Sequence, residues 1–175
     1  GDTTLRFADG VDGVIPTGTN GAQRDGAVNL GAASNRFQHL YLSGGVYLGG
    51  TGAANKLDDY EEGTWAGTAT ITSAQSSSVT DETYTKIGQI VHVSFTVNFN
   101  GASGSLTVAG LPFAASKRAV GIGREDQSSG YGVFGRVQGG STSLVIWYTG
   151  ATGNPSAFQV ATGAIRMSLT YHTAS

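Results

Sequence analysis

QIVHVSFTVNF, residues Gln89 to Phe99, decides the fold class. Val91, Val93, Phe95, Val97 and Phe99 alternate with His92, Ser94, Thr96 and Asn98. A period of two puts the first set on one face of a strand and the second on the other, so one side is core and the other polar. Near the C-terminus Ile165, Met167, Leu169 and Tyr171 repeat the pattern against Arg166, Ser168, Thr170 and His172, which ties that end of the chain into a sheet. Working outward, further strands are expected at Trp65 to Thr72, Glu82 to Ile87, Ser105 to Ala109, Arg118 to Arg124, Gly132 to Val137 and Ser143 to Thr149, giving about eight. Gly88-Gln89 lies between two apolar runs and predicts a two-residue type II′ hairpin, with Gly88 supplying the positive φ. Short strands with a turn signal every ten or so residues predict an all-β head, an antiparallel β-sandwich of jelly-roll type. The one helical expectation is a single turn over Leu57 to Glu62, ended by Gly63 as a C-cap.

Composition narrows the function. Charged residues are 13% of the chain, about half the usual quarter, and its 28 glycines are about twice the usual share. A net charge of −2 without a basic cluster argues against nucleic acid, whose phosphates need several Lys or Arg. With no cysteine, disulfides, thiolate zinc sites and cysteine nucleophiles all drop out. No apolar run approaches the roughly 18 residues of a membrane-spanning helix, so membrane insertion is not expected. Gly1 at the start and a single methionine, Met167, suggest a piece of a longer protein.

Residues 1–56 differ in character from residues 57–175, which form the expected head. Twelve glycines interrupt the first 56 residues, and their apolar residues come in ones, twos and threes. Leu40 and Leu42, then Val46 and Leu48, are pairs spaced two apart around Ser43-Gly44-Gly45, the pattern of very short strands joined by a glycine turn. A hairpin that small is marginal in water. Some 55 residues with scattered apolar elements and no disulfide usually need oligomerisation. Phe37, Leu40, Leu42, Val46 and Leu48 are therefore expected to pack against partner chains, three copies around an axis supplying the missing core.

Candidate sites are few. Asp58, Asp59, Glu61 and Glu62 are the one place where carboxylates crowd, and a glycosidase needs two of them about 5 to 10 Å apart. Nearly contiguous residues in a turn splay outward instead, so a solvated junction or interchain salt bridges to Lys56 or Arg36 is the expectation, with a cation site as the lesser alternative. Asp81/Glu82 and Glu125/Asp126 are adjacent pairs, and neighbours on a strand point to opposite faces. His39, His92 and His172 lie far apart with no second ligand at metal spacing, so no metal or other cofactor is expected. Serines occur without a GxSxG context, and no helix follows Gly121-Ile122-Gly123 to make a phosphate loop. The aromatics Tyr131, Phe134, Trp147, Tyr148 and Phe158 cluster near the polar stretches Gln127 to Gly130 and Gly150 to Ala157. Flat rings beside neutral hydrogen-bonding groups suit saccharides. The candidate ligand-contact residues are accordingly Arg124, Tyr131, Trp147, Tyr148 and Asn154, which become the receptor-binding candidates if the resemblance given below holds. Trp147 is out of phase with Leu144 and Ile146, so it faces the other side of its strand from Ile146, a side open to solvent, a glycan or a neighbouring subunit.

The stretch Asn29 to Thr68 reads NLGAASNRFQHLYLSGGVYLGGTGAANKLDDYEEGTWAGT. It resembles a sequence that recurs in tail fibres and receptor-binding proteins of tailed bacteriophages, where a similar LGxxSxRFxxLYLSGGVYLGG is followed by LDDYEEGTW and opens the terminal domain. Tyr84 to Gly88 before a valine-rich strand, and Gly110-Leu111-Pro112-Phe113 after Leu106 to Ala109, also look like segments of these domains. The resemblance implies a homotrimer with an intertwined β stalk leading to a β-sandwich head that contacts the host. It further implies a place in the virion tail, assembly in the bacterial cytoplasm, and action at the host cell surface on a glycan or outer-membrane protein. The remainder of the fibre would be a further partner. The motif carries structure and no chemistry, so it implies no catalytic residue and no enzyme. Two alternatives stand beside the adhesin: a catalytic or accessory domain of a glycan-depolymerising tailspike, and a purely structural trimerisation cap.

Overall fold

Fourteen strands run through the computed structural model, which describes residues 3–72, 76–127, 130–149, 155–156 and 158–174, with the backbone alone at 102–103, 148–149, 155–156 and 158–161. The chain divides into two units, Gly1–Ser43 and Gly44–Ser175. In the first, β1 (Thr3–Ala8) and β2 (Gly13–Gly18) form an antiparallel hairpin, Thr3 opposite Gly18 through to Ala8 opposite Gly13. A 3-10 turn at Asp9–Val11, with Asp12 in the left-handed region at φ 48°, reverses the chain. Beyond β2 the backbone folds back, Gly18 N–H donating to Ala22 O at 2.9 Å and Arg24 N–H to Pro16 O at 3.0 Å. Among the described residues of this unit only Thr17 is buried, its hydroxyl 2.8 Å from that of Thr4. Leu5, Phe7, Leu30, Phe37, Leu40, Tyr41 and Leu42 are all exposed. Ladders and turns shape this unit; apolar burial within one chain does not.

The second unit opens with β3 (Val46–Tyr47) and β4 (Lys56–Leu57), antiparallel with Val46 opposite Leu57. This corrects the expected hairpin between Leu40–Leu42 and Val46–Leu48. Gly45, at φ +95°, does not reverse the chain; it lets the backbone pass close to the next strand, where a Cβ would lie 2.6 Å from Leu57 O. The reversal comes later, where Leu48 N–H donates to Asn55 O at 2.9 Å and Asn55 Nδ2 donates to Leu48 O at 3.1 Å.

The remaining strands are β5 (Tyr60–Thr64), β6 (Thr68–Ile71), β7 (Ser76–Ile87), β8 (Ile90–Gly104), β9 (Leu106–Ala109), β10 (Ala119–Glu125), β11 (Gly132–Val137), β12 (Ser143–Thr149), β13 (Pro155–Ser156) and β14 (Phe158–His172). They form one ten-stranded antiparallel sheet in the order β5-β7-β8-β14-β10-β11-β12-β9-β6, with β13 beside β12. The expected packed sheets are thus realised as a single sheet curled around one core. Its two ends approach each other: Ser77 Oγ on β7 donates to the Ala69 carbonyl on β6 at 2.8 Å.

The expected helical turn over Leu57 to Glu62 is also corrected. Tyr60–Thr64 is extended and pairs with β7, Tyr60 opposite Ile87 through Thr64 opposite Thr83. Gly63 is no C-cap. It leaves room for the Tyr84 ring, 3.2 Å from where its Cβ would be. A one-turn helix has little cooperative support, whereas a five-residue ladder satisfies its backbone groups against an existing strand.

Val91, Val93, Phe95, Val97 and Phe99 of β8 and Ile165, Met167, Leu169 and Tyr171 of β14 are all buried on the inner face, as their alternation predicts. Phe95 meets Trp65 edge to face at 5.4 Å. The β7–β8 turn puts Ile87 opposite Ile90, with positive φ at Gly88 (+57°) and not at Gln89, the pattern of type II′. Tyr171 donates its hydroxyl to Phe113 O at 3.0 Å and accepts from Phe113 N–H at 3.3 Å; burial pushes its pKa up to about 12. Lys86 is buried against the Phe113 ring, with its ammonium paired to Asp59.

One detail of the sheet positions the site. On β10 the inward positions are Gly121 and Gly123, and a Cβ at Gly121 would lie 2.6 Å from Ser168 O. The glycines bring β10 close to β14. The same alternation turns Val120, Ile122 and Arg124 outward.

Candidate functional site

On the outer face of β10, β11 and β12, register aligns side chains into rows. Ile122 is opposite Phe134, and Phe134 is opposite Trp147. Ile122 is 65% exposed, while Phe134 and Trp147 are half-buried. The next row runs Val120, Arg136, Val145. The Arg136 guanidinium sits over the Trp147 ring at 5.7 Å, a cation–π contact that holds the indole in place. Trp147 thus points away from Ile146, which is buried, in agreement with its phase in the sequence.

The row on the other side of Ile122 is charged. Arg124 on β10 is directly opposite Arg166 on β14. Asp126 lies between them, its Oδ2 3.1 Å from Arg166 Nε and its Oδ1 4.0 Å from Arg124 Nε. Ile122, Arg124, Arg166 and Ser168 border a shallow depression of about 420 Å³, with Gly123 and Met167 beneath. The loop beside it is anchored from inside. The Glu125 carboxylate is buried and accepts the N–H groups of Gln127 at 2.8 Å and Gly130 at 3.2 Å, while Glu125 N–H donates to Tyr131 O at 2.9 Å. Glu125 and Asp126 therefore point to opposite sides, as neighbours on a strand do. Tyr131 itself is 53% exposed.

Of the candidate receptor residues, Arg124 and Trp147 share this face and Tyr131 closes the loop at its edge. Tyr148 is placed in β12, opposite Val133 and Ser156, by its backbone alone. Asn154 lies outside the described residues. Ile122, Arg136 and Arg166 were missed by sequence reasoning. The signal that finds the first is the Gly-x-Gly alternation, because glycine at inward positions sends the residue between them outward. Of the neck candidates, Phe37, Leu40, Leu42 and Leu48 are exposed, and Val46 in β3 is half-buried.

The acidic cluster resolves into separate pairs. Asp58 meets Lys56 at 2.9 Å, and this hydrogen-bonded contact lowers the Asp58 pKa and raises that of Lys56. Asp59 holds Lys86, Glu61 accepts from Tyr84, and Glu62 accepts from Tyr60 at 2.7 Å, which raises both tyrosine pKa values. Each carboxylate has its own partner on its own chain. Among the described residues no group of three or more His, Asp or Glu is placed to hold a metal ion. His92 Nδ1 is 3.0 Å from Thr170 Oγ1, and the His39 ring meets Tyr41.

No protein-family model matches the chain, and no curated protein does. Among solved structures it is similar to the Dettilon tailspike protein (gp208), with a TM-score of 0.46 and 17% identity over 65% of this chain. The match spans 24% of that tailspike chain.

Proposed function

We propose that this chain is the distal part of a phage tail fibre or tailspike, a homotrimeric adhesin that attaches the virion to a host surface glycan. The observation that carries the reading is the outward-facing row of the exposed Ile122 and the half-buried Phe134 and Trp147, with Arg136 over the indole. Aromatic and aliphatic faces flanked by polar groups fit the C–H faces and hydroxyls of a sugar. Adhesion needs no catalysis, and three shallow sites on one fibre gain affinity through avidity. The phage assignment rests on the LGxxSxRFxxLYLSGGVYLGG and LDDYEEGTW segments. The trimer is supported by the exposed Phe37, Leu40, Leu42 and Leu48, with residues 1–56 as stalk and neck.

The purified chain is expected to bind host cells and to compete with virions for adsorption, and Trp147→Ala is expected to lower that binding about tenfold or more. A chain that binds no host cells overturns the adhesin. Light scattering is expected to give about three times the 17.8 kDa of one chain, and a mass near one chain overturns the trimer. New reducing ends released from host polysaccharide would support the depolymerase alternative instead.

A further inference from the structure

We infer that the glycan held at this face is anionic, with a carboxylate or phosphate oxygen of the sugar seated between Arg124 and Arg166. The inference rests on the adhesin reading and names its ligand class. Like charges directly opposite on neighbouring strands are destabilising, yet β10 and β14 set two arginines face to face on an open surface. Their side chains are 71% and 76% exposed, so neither is placed by burial. Asp126 compensates only in part. It is within hydrogen-bond distance of Arg166 at 3.1 Å and beyond it from Arg124 at 4.0 Å. Two guanidinium groups thus flank one carboxylate, leaving one positive charge in excess beside the depression.

An oxyanion accepts hydrogen bonds from such forks with a geometry that a single lysine does not offer. The surroundings extend the match to a sugar ring. Ile122, in the next row of β10, gives an apolar wall, Ser168 borders the depression beside it, and Phe134 and Trp147 continue the row for a second ring. Charge along the chain agrees. From residue 83 onward there are six Lys or Arg against only Glu125 and Asp126, and Glu125 is turned inward. Residues 1–82 hold the other ten acidic residues.

The test uses the full chain and galacturonate, glucuronate and mannuronate oligosaccharides, each beside its neutral carboxyl-reduced counterpart, together with phosphorylated oligomannose. Binding is read by calorimetry at low and high salt. At least one anionic probe is expected to bind about tenfold or more tightly than its neutral partner and to weaken as salt rises. A carboxylate or a phosphate winner identifies the source of the oxyanion, and either supports the inference. Arg124→Gln and Arg166→Gln are each expected to cost about tenfold in that affinity, whereas Asp126→Asn, which removes the competing carboxylate, is expected to tighten it severalfold. Equal binding of neutral and anionic probes, no binding of any probe, or unchanged affinity in both arginine variants overturns the inference. So does a change of assembly mass in those variants with glycan binding intact, because the arginines would then serve a second copy of the chain. Host-cell adsorption separates the two proposals. If the chain adsorbs, and Trp147→Ala abolishes adsorption while both arginine variants leave it unchanged, the adhesin stands and the anionic ligand falls.

Discussion

The two units reach order by different means. In Gly1–Ser43 a hairpin, the fold-back after β2 and several turns supply the backbone hydrogen bonds, and the one buried side chain among the described residues is a threonine. In Gly44–Ser175 eighteen buried hydrophobic residues form one cluster inside the curled sheet. Hydrogen bonding gives the first unit a shape, and apolar burial gives the second its stability. Net hydrogen-bond contributions are small beside the entropy of ordering a chain, and that imbalance is the physical argument for the proposed trimer.

The sharpest way to break this contrast is to truncate an aromatic in each unit. Phe95→Ala on β8 is expected to cost about 3–5 kcal/mol in denaturant unfolding, as buried Phe to Ala changes do. Phe37→Ala is expected to leave unfolding of the second unit within about 0.5 kcal/mol, since its side chain is 67% exposed. Equal losses would mean that the two units unfold as one and that the contrast is false.

Tyr171→Phe tests the core's polar anchor. At neutral pH it strands the Phe113 N–H and carbonyl and is expected to cost about 1–2 kcal/mol. The sign of the pH effect follows from the raised pKa. An unfolded tyrosine ionises near 10 and the folded one at about 12, so its contribution is complete below about pH 10 and is lost as pH climbs to about 12. Over that window the native protein is expected to lose roughly 2 kcal/mol more than Tyr171→Phe, measured by urea melts at each pH. A small local effect is expected in the first unit. Thr17→Val removes the bond to Thr4 while keeping the shape, and about 1 kcal/mol is expected, read as faster amide exchange in β1 and β2.

How much was legible in the sequence depended on whether a side-chain period existed to be read. The β8 and β14 alternations, the Gly88 turn and the outward phase of Trp147 were all visible because each is a local pattern. β5 was not visible. Glu61, Glu62 and Gly63 have poor strand propensity and no apolar alternation, and the strand exists because β7 offers a ladder. The β3–β4 pair was misplaced because two-residue strands carry no period, and the deciding contact, Gly45 against Leu57, is tertiary. The same holds for the site. Arg124 could be chosen from its loop, but its partner Arg166 lies 42 positions further on, and only the β10–β14 register brings them together.

The bond from Ser77 to Ala69 closes the curl with a side chain where a barrel would have a ladder. Such a closure makes a seam, because the bonds described across it, this one and that from Gly67 N–H to Glu82 Oε1 at 3.3 Å, use side chains of β7 and form no row of backbone bonds. A wall with a seam can widen or tighten without unfolding. On the proposed reading as a fibre tip, a pull on the sheet would open that line between β6 and β7 before the continuous ladder that joins β10 to β14.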